Sequence, residues 1–478
     1  MLRLLRVAAV ITAVLGLAGP PLPVVGQLSE CSANRPLLRY VVLFDAGTSE
    51  QEAKRAIREA CGTTVAYYPQ IGVGVVTSAA SEFTARFGVA RAYSAQSDAV
   101  FGRQRTQLTS RAVPLTAAQL PAAGRTLAVD HSAEQWDMEM IHAPQARAIR
   151  RGSPEVVVGV LDSGVDATHP DLADAVDANQ SAGCLSGKPD QSPSAWSPST
   201  SMHGTHVAGT IAAAGDGHGI TGVAPGVRLA SIKVVDDDGF IYPEYAVCGF
   251  MWAARQHMRI ANNSYSLDPW RLTCSDQPGQ AVVYEAIRRA VEYATAHGVL
   301  SVAAVGNDRR DLANVHEDLR SPDNVSKPQP RSVDQQCKVL PAQLSGVVAV
   351  SAVSAARVKS GYSSYGLGVI TVTAPGGDSA SPSSSGGSTG CVLSTIPGGY
   401  GYACGTSVAT PHVSGVAALL ASVHPDAGPQ QLAMLLSQQA TPLPCLAGHD
   451  SQNTCADTSS AFYGHGLVNA VSAVSAPN

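Results

Sequence analysis

Two patterns of apolar positions follow one another along the chain. Between residues 37 and 101 the apolar runs are short and broken by polar turns. Arg39–Phe44 (RYVVLF), TTVAYY at 63–68 and IGVGVVT at 71–77 predict strands. Ser49-Glu50-Gln51-Glu52 is a capping box that opens a helix running to about Ala60. Ser81–Phe87 predicts a second short helix, and Arg91–Val100 a last strand. The order β-α-β-β-α-β is that of a small ferredoxin-like α+β unit. A polar linker rich in Pro and Ala follows at 102–130, carrying Arg103, Arg105, Arg111 and Arg125. From about 131 the apolar runs become continuous. Glu155–Leu161 (EVVVGVL), Arg228–Val235, Ile260–Tyr265, Val299–Val305, Val347–Val353 and Val369–Thr373 predict buried strands. Val207–Ala214, Tyr245–Met258, Gln280–His297, Thr406–Val423 and Pro429–Gln438 predict helices. Continuous apolar strands separated by helices imply an α/β fold, a parallel sheet covered on both faces. Sites in such sheets lie at the carboxyl ends of the strands. There is no internal repeat, and low complexity is confined to the Ser/Gly-rich stretch Gly376–Gly390.

The first segment changes the picture of where the protein works. Arg3 and Arg6 precede a twelve-residue apolar run, Val7–Ala18, which Pro20, Pro21 and Pro23 end. Spanning a bilayer takes about 20 apolar residues, so the segment reads as a secretory signal peptide with a cut near Gly26. No later stretch reads as a membrane span. The ten cysteines are an even number, and no pair has C-x-x-C spacing. In an exported chain they are expected to form disulfides. Their connectivity is open, although Cys31–Cys61 would stay inside the first unit and Cys445–Cys455 would close a small loop. Of the 478 residues 45 % are apolar and 14 % charged, with a net charge of −5, which argues against a basic nucleic-acid-binding surface.

Four segments place polar chemistry at predicted strand ends or helix starts. Asp162 ends the strand in Val160-Leu161-Asp162-Ser163-Gly164. His203 opens the helix of His203-Gly204-Thr205-His206-Val207. Asn307 follows the strand of Ala303-Ala304-Val305-Gly306. Ser407 starts the long apolar helix of Gly405-Thr406-Ser407-Val408-Ala409-Thr410-Pro411-His412. A serine hydroxyl needs a histidine to take its proton and a carboxylate to orient the imidazole. The oxyanion then needs fixed donors, such as an amide side chain and a backbone N–H at a helix start. Asp162, His203, Ser407 and Asn307 supply one of each. The order Asp…His…Ser along the chain is that of subtilisin. A metal site of Asp162, His203 and His206 is the competing chemistry, but no H-E-x-x-H motif accompanies it.

Residues from about 131 to 475 resemble the subtilisin-like serine proteases, or subtilases. The resemblance rests on VVGVLDSGVDATHPDL around Asp162, HGTHVAGT at His203, AAVGN ending at Asn307 and GTSVATPHVSGVAALL at Ser407. NNSYSLDPWRLTC and SSYGLGVITVTAPGGDS look closest to secreted actinobacterial-type members. The resemblance implies a signal peptide at 1–26, an inhibitor-like prosegment at 27–110, a linker at 111–130 and a catalytic domain at 131–478. It implies a secreted, monomeric serine endopeptidase that acts on protein or peptide substrates and is made as a self-processing preproprotein. Its own prosegment would be its inhibitor, and no organic cofactor is needed. Ser264, Tyr265 and Ser266, with Ala304, Val305 and Gly306, are expected to flank an extended substrate. His206, His412, His169 and His218 are expected to be structural. The sequence departs from the family's pattern at Met202, Val408, Thr410 and Ser266. The long stretch from Asp308 to Lys338 is expected to form a rim over the primary pocket. That rim keeps a narrower function open, removal of leader peptides or propeptides from one partner. Asp171, nine residues beyond Asp162, and Asp216 in Ala214–Ile220 stand where family members hold a structural calcium. The other reading of that segment is an ordinary Gly-Asp-Gly turn.

Overall fold

The computed structural model describes residues 31, 33–97, 120–121, 129–380, 390–444, 454–456 and 459–475. The expected signal peptide, most of the 102–130 linker and Cys445 lie outside the described residues.

The N-terminal unit consists of β1 (Ala33–Leu43), α1 (Glu50–Glu59), β2 (Thr63–Tyr68), β3 (Val73–Ala80), α2 (Phe83–Phe87) and β4 (Ala92–Tyr93). Its strands form an antiparallel sheet in the order β2-β3-β1-β4. The capping box at Ser49 closes as the sequence predicts. Ser49 Oγ accepts the Glu52 N–H, and the Glu52 carboxylate accepts the Ser49 N–H at 3.1 Å. Ile57 and Ala53 on α1 pack with Phe83, Val42 and Val76 into a small core of their own.

The larger body is built on a seven-stranded parallel sheet. Its strands are β6 (Val157–Asp162), β7 (Ala182–Gly183), β8 (Arg228–Lys233), β9 (Ile260–Asn263), β10 (Leu300–Ala304), β11 (Val348–Val353) and β12 (Val372–Pro375), in the order β12-β11-β10-β9-β6-β8-β7. Successive side chains on a strand point to opposite faces, so each strand feeds two cores. Val158 and Val160 of β6 pack on one side, and Val157 and Leu161 on the other. The first core is closed by α3 (His203–Ala212) and α6 (Thr406–Val423), the second by α4 (Pro243–Arg255) and α5 (Gln280–Ala296). Helix α6 is apolar all round because it is buried all round, with 83 % of its length inside protein. The helix opens at His203, as its motif predicts, and ends at Ala212, two residues before the predicted Ala214.

A hairpin of β13 (Val392–Ile396) and β14 (Gly399–Ala403) is not among the predicted elements, since the glycines of GYGYA disfavour a strand. Tertiary bonds hold it. Thr395 and Ser394 hydroxyls donate to the carbonyls of Thr205 and His206 on α3, each at 2.7 Å. A two-residue strand β5 (Leu120–Pro121), from the linker, pairs with Gly401 and Tyr402 of β14.

The N-terminal unit sits on α4 and α5. Arg289 of α5 donates to the carbonyls of Phe44 at 2.9 Å and Ile71 at 3.1 Å. Arg39 of β1 reaches Glu244 of α4 at 3.7 Å, and burial pushes the Glu244 carboxyl up to about 7 against the pull of that arginine. Tyr68 donates to the Gly187 carbonyl at 2.9 Å. A Cβ at Gly187 would lie 2.6 Å from Val75, so the close approach of β3 requires glycine there. Disulfides join Cys31–Cys61, Cys184–Cys248, Cys274–Cys337 and Cys391–Cys404, and Cys455 is also disulfide-bonded.

Candidate active site

Asp162 is the last residue of β6 and is 1 % exposed. Its Oδ1 accepts the Ser163 N–H at 2.7 Å. His203 is the first residue of α3, so strand end and helix start bring the two side chains together. A Cβ at Gly204 would lie 2.4 Å from the Gly164 carbonyl oxygen. Only glycine lets the helix begin this close to β6. His203 Nδ1 stands 2.8 Å from Asp162 Oδ1 and 2.9 Å from Oδ2. The opposite ring nitrogen, Nε2, is buried and has no hydrogen-bond partner. Burial disfavours the charged ring, but the Asp162 charge and hydrogen bond outweigh it and raise the His203 pKa above its usual value.

Ser407 lies in the first turn of α6, where backbone amides have no intrahelical acceptor. It lines the same cleft as His203 and Asn307. A Cβ at Gly405 would meet Ser407 Oγ at 3.0 Å and Asn307 Nδ2 at 3.4 Å, so hydroxyl and amide flank one point in space. Asn307 is locked in place. Its Oδ1 accepts the Thr406 N–H and the Thr406 hydroxyl, each at 2.9 Å, which leaves Nδ2 for the cleft. The Thr406 hydroxyl oxygen accepts the Gly306 N–H at 3.2 Å. Sequence reasoning does not single out Thr406. Its only signal is its place beside Ser407.

Ser264, Tyr265 and Ser266 line the cleft from the end of β9, and Ala304 and Gly306 line it from the end of β10. Val305 does not. Its side chain is fully buried in the second core. Asp308, Arg320 and Asp323 of the 308–338 stretch also face the cleft. The Cys274–Cys337 disulfide and a 2.8 Å ion pair between Arg331 and the fully buried Asp318 brace that stretch.

The other histidines are engaged elsewhere. His412 Nε2 pairs with Asp137 at 2.9 Å, both fully buried. His206 Nε2 donates to the Val392 carbonyl at 3.1 Å. Burial and neighbouring His203 hold its pKa down at about 3, so it stays neutral. His169 Nε2 bonds the Gly399 carbonyl.

Asp171 and Asp216, the expected calcium residues, both accept hydrogen bonds from the protein itself. Asp171 is buried, and its carboxylate accepts the Ile220 N–H at 3.0 Å and the Tyr400 hydroxyl at 3.1 Å. Asp216 is exposed and accepts the His218 N–H of its own turn. Calcium takes six to eight oxygen ligands. Here a phenol occupies the buried carboxylate, and among the described residues no three His, Cys, Asp or Glu side chains cluster as metal ligands.

Comparison with known proteins bears on this geometry. The subtilase family model matches residues 153–466. The chain is 32 % identical over 339 residues to fervidolysin of Fervidobacterium pennivorans, covering 67 % of this chain but only 42 % of fervidolysin. It is 31 % identical to subtilisin of Bacillus pumilus, covering 70 % of this chain and 96 % of that protein. Among solved structures, the nisin leader peptidase NisP of Lactococcus lactis matches with a TM-score of 0.57 and 25 % identity, over 73 % of this chain and 95 % of that one. With Asp162, His203 and Ser407 gathered at the strand ends of a parallel sheet and relatives of this kind, the chain belongs to the subtilase family of serine endopeptidases.

Proposed function

We propose that the protein is a secreted, self-processing endopeptidase in which Asp162, His203 and Ser407 form the catalytic triad. Asp162 holds His203 with Nδ1–H toward the carboxylate. His203 Nε2 takes the Ser407 proton as Oγ attacks the peptide carbonyl, then gives it to the leaving amine. Water repeats the cycle to release the acyl group. The Asn307 amide and the Ser407 backbone N–H take the oxyanion. The observation that carries this reading is the double contact of His203 Nδ1 with Asp162 while Nε2 lies buried and unpartnered in the cleft that Ser407 lines. Four disulfides support an oxidising destination, in line with a signal peptide at 1–26. The N-terminal unit is read as an inhibitory prosegment, and the enzyme as a monomer that needs no organic cofactor. The test is Ser407→Ala in the full chain. Turnover should vanish, and the protein should accumulate as an uncut precursor. Normal processing of this variant in a protease-free preparation would remove the self-processing reading.

A narrower reading, removal of a leader or propeptide from one partner, is favoured by the residues that the 308–338 stretch places in the cleft. The likeness to a protein described as a nisin leader peptidase supports it as well. Casein digestion against cleavage of single-site peptides separates the two.

A further inference from the structure

The wall of the cleft beside the nucleophile carries charges that the triad does not use. Asp268, just beyond the Ser264–Ser266 wall, is 6 % exposed. Its Oδ2 accepts the Ile241 N–H at 2.7 Å. Asp323, from the 308–338 stretch, has a side chain only 9 % exposed. Both of its oxygens are buried without a nitrogen donor in hydrogen-bonding geometry, and its carboxylate shares a hydrogen bond with the Asp268 carboxyl. Arg271 approaches it at 3.0 Å through Nε, and that nitrogen also lacks hydrogen-bond geometry. All three residues line the cleft with His203 and Ser407. The remaining pair there, Arg320 and Asp308, is spent on itself. One cation therefore faces two buried carboxylates. Burial and the neighbouring Asp323 keep the Asp268 carboxyl protonated far above the ordinary carboxylate range. A cation entering the cleft would therefore meet a pair of carboxyl groups that Arg271 alone faces.

The chain supplies such a cation. The last described residues of the N-terminal unit end at this wall. Asn324, next to Asp323, donates from Nδ2 to the Ala95 carbonyl at 2.8 Å. The sequence that leaves this anchor holds Arg103, Arg105, Arg111 and Arg125 and no carboxylate from Ala99 to Val129. At about 3.3 Å per extended residue, Arg103 and Arg105 start well within reach of the cleft.

We propose that Asp268 and Asp323 form the floor of the primary specificity pocket and select a basic side chain, arginine above lysine, on the acyl side of the scissile bond. The first substrate is the enzyme's own linker, cut after Arg103 or Arg105. A planar guanidinium can bond two carboxylates at once, whereas an ammonium acts as a point charge. This assignment deepens the endopeptidase reading and rests on it.

The mature enzyme is assayed on four peptide anilides that differ only in the acyl-side residue, Arg, Lys, Leu or Glu, with casein as a general substrate. Arginine should exceed leucine in kcat/KM by about 10- to 100-fold, the worth of a hydrogen-bonded charge pair. Asp268→Asn should collapse that ratio by a similar factor, with labelling of Ser407 by a fluorophosphonate reporting that the site is folded. Asp323→Asn provides the same readout if Asp268→Asn does not fold. In the full chain, the mature N-terminus should fall at residue 104 or 106 and move in an Arg103→Gln, Arg105→Gln variant. Equal rates for arginine and leucine, or a preference for glutamate that would point to Arg271, overturn the pocket assignment while leaving the endopeptidase intact. No hydrolysis of casein or any anilide would instead remove the endopeptidase reading, and the pocket with it.

Discussion

His203 Nδ1 lies almost equidistant from the two oxygens of Asp162, at 2.8 and 2.9 Å. The carboxylate therefore sets the tautomer and raises the ring's pKa above about 6.5, its usual value. The base form is the neutral ring, so activity is lost as pH falls through the raised pKa. In a kcat/KM profile from acid to alkaline pH, the midpoint of the acid limb should lie above about 6.5. Asp162→Asn should lower kcat by about 10⁴-fold and shift what remains of the limb to lower pH. A wild-type midpoint below that of free histidine would contradict this account.

Thr406 holds Asn307 in place, and a double-mutant cycle tests the link. Asn307→Ala should reduce kcat by about 10²–10³-fold with little change in KM. Thr406→Val keeps the backbone bond to Asn307 Oδ1 but loses both bonds of the hydroxyl, the one to Asn307 Oδ1 and the one from the Gly306 N–H, so kcat should fall by about tenfold or more, at roughly 1 kcal/mol per hydrogen bond. In the Asn307→Ala background, Thr406→Val should cost distinctly less, because only the bond from the Gly306 N–H is then left to lose. Full additivity would show that Thr406 acts in some other way.

The contacts of the N-terminal unit with α5 predict the strength of inhibition. A separate fragment of residues 27–110 should inhibit the mature enzyme. Arg289→Ala, which removes the bonds to the Phe44 and Ile71 carbonyls, should weaken the inhibition constant by at least about tenfold. Initial rates with increasing fragment measure both. A folded fragment that leaves the rate unchanged at high micromolar concentration would count against an inhibitory role.

The buried Asp171 carboxylate already accepts the Tyr400 hydroxyl. Thermal unfolding of the Ser407→Ala protein should be the same in chelator and in millimolar calcium. Tyr400→Phe leaves the buried Asp171 carboxylate short of a donor and should destabilise by about 1–3 kcal/mol. An upward shift with calcium that disappears in Asp171→Ala would restore the ion.

How much of this is legible in the sequence varies with the range over which the signal acts. Asp162, His203 and Ser407 each sit within a local motif at a strand end or helix start, and such positions can be read without tertiary information. The parallel sheet is legible because its strands are buried on both faces and therefore run apolar throughout. The β13–β14 hairpin is not, since Gly399–Ala403 takes its strand form from pairing and from bonds to α3. Val305 is expected beside the substrate as part of the extended Ala304–Gly306 segment, and strand alternation accounts for its side chain lying in the core. Asp268 and Asp323 cannot be paired from the sequence, because only the folded 308–338 stretch sets one beside the other. The Asp171–Tyr400 pair spans an even longer separation, and nothing near Asp171 announces a phenol.

The short pairing of Leu120–Pro121 with β14 has a kinetic consequence. Ser97 belongs to a unit held on α4 and α5, while residue 120 is stitched to a different sheet of the larger body. Before the linker is cut, the N-terminal unit cannot diffuse away, and its effective concentration at its own docking face is of the order of millimolar. A cut between Ser97 and Leu120 leaves Leu120–Pro121 paired with β14 and turns the other fragment into an ordinary bimolecular ligand. The same contacts that hold the unit firmly on the intact chain then hold it only as well as dilution allows. After such a cut, release is set by dilution alone, with no rearrangement of the enzyme required.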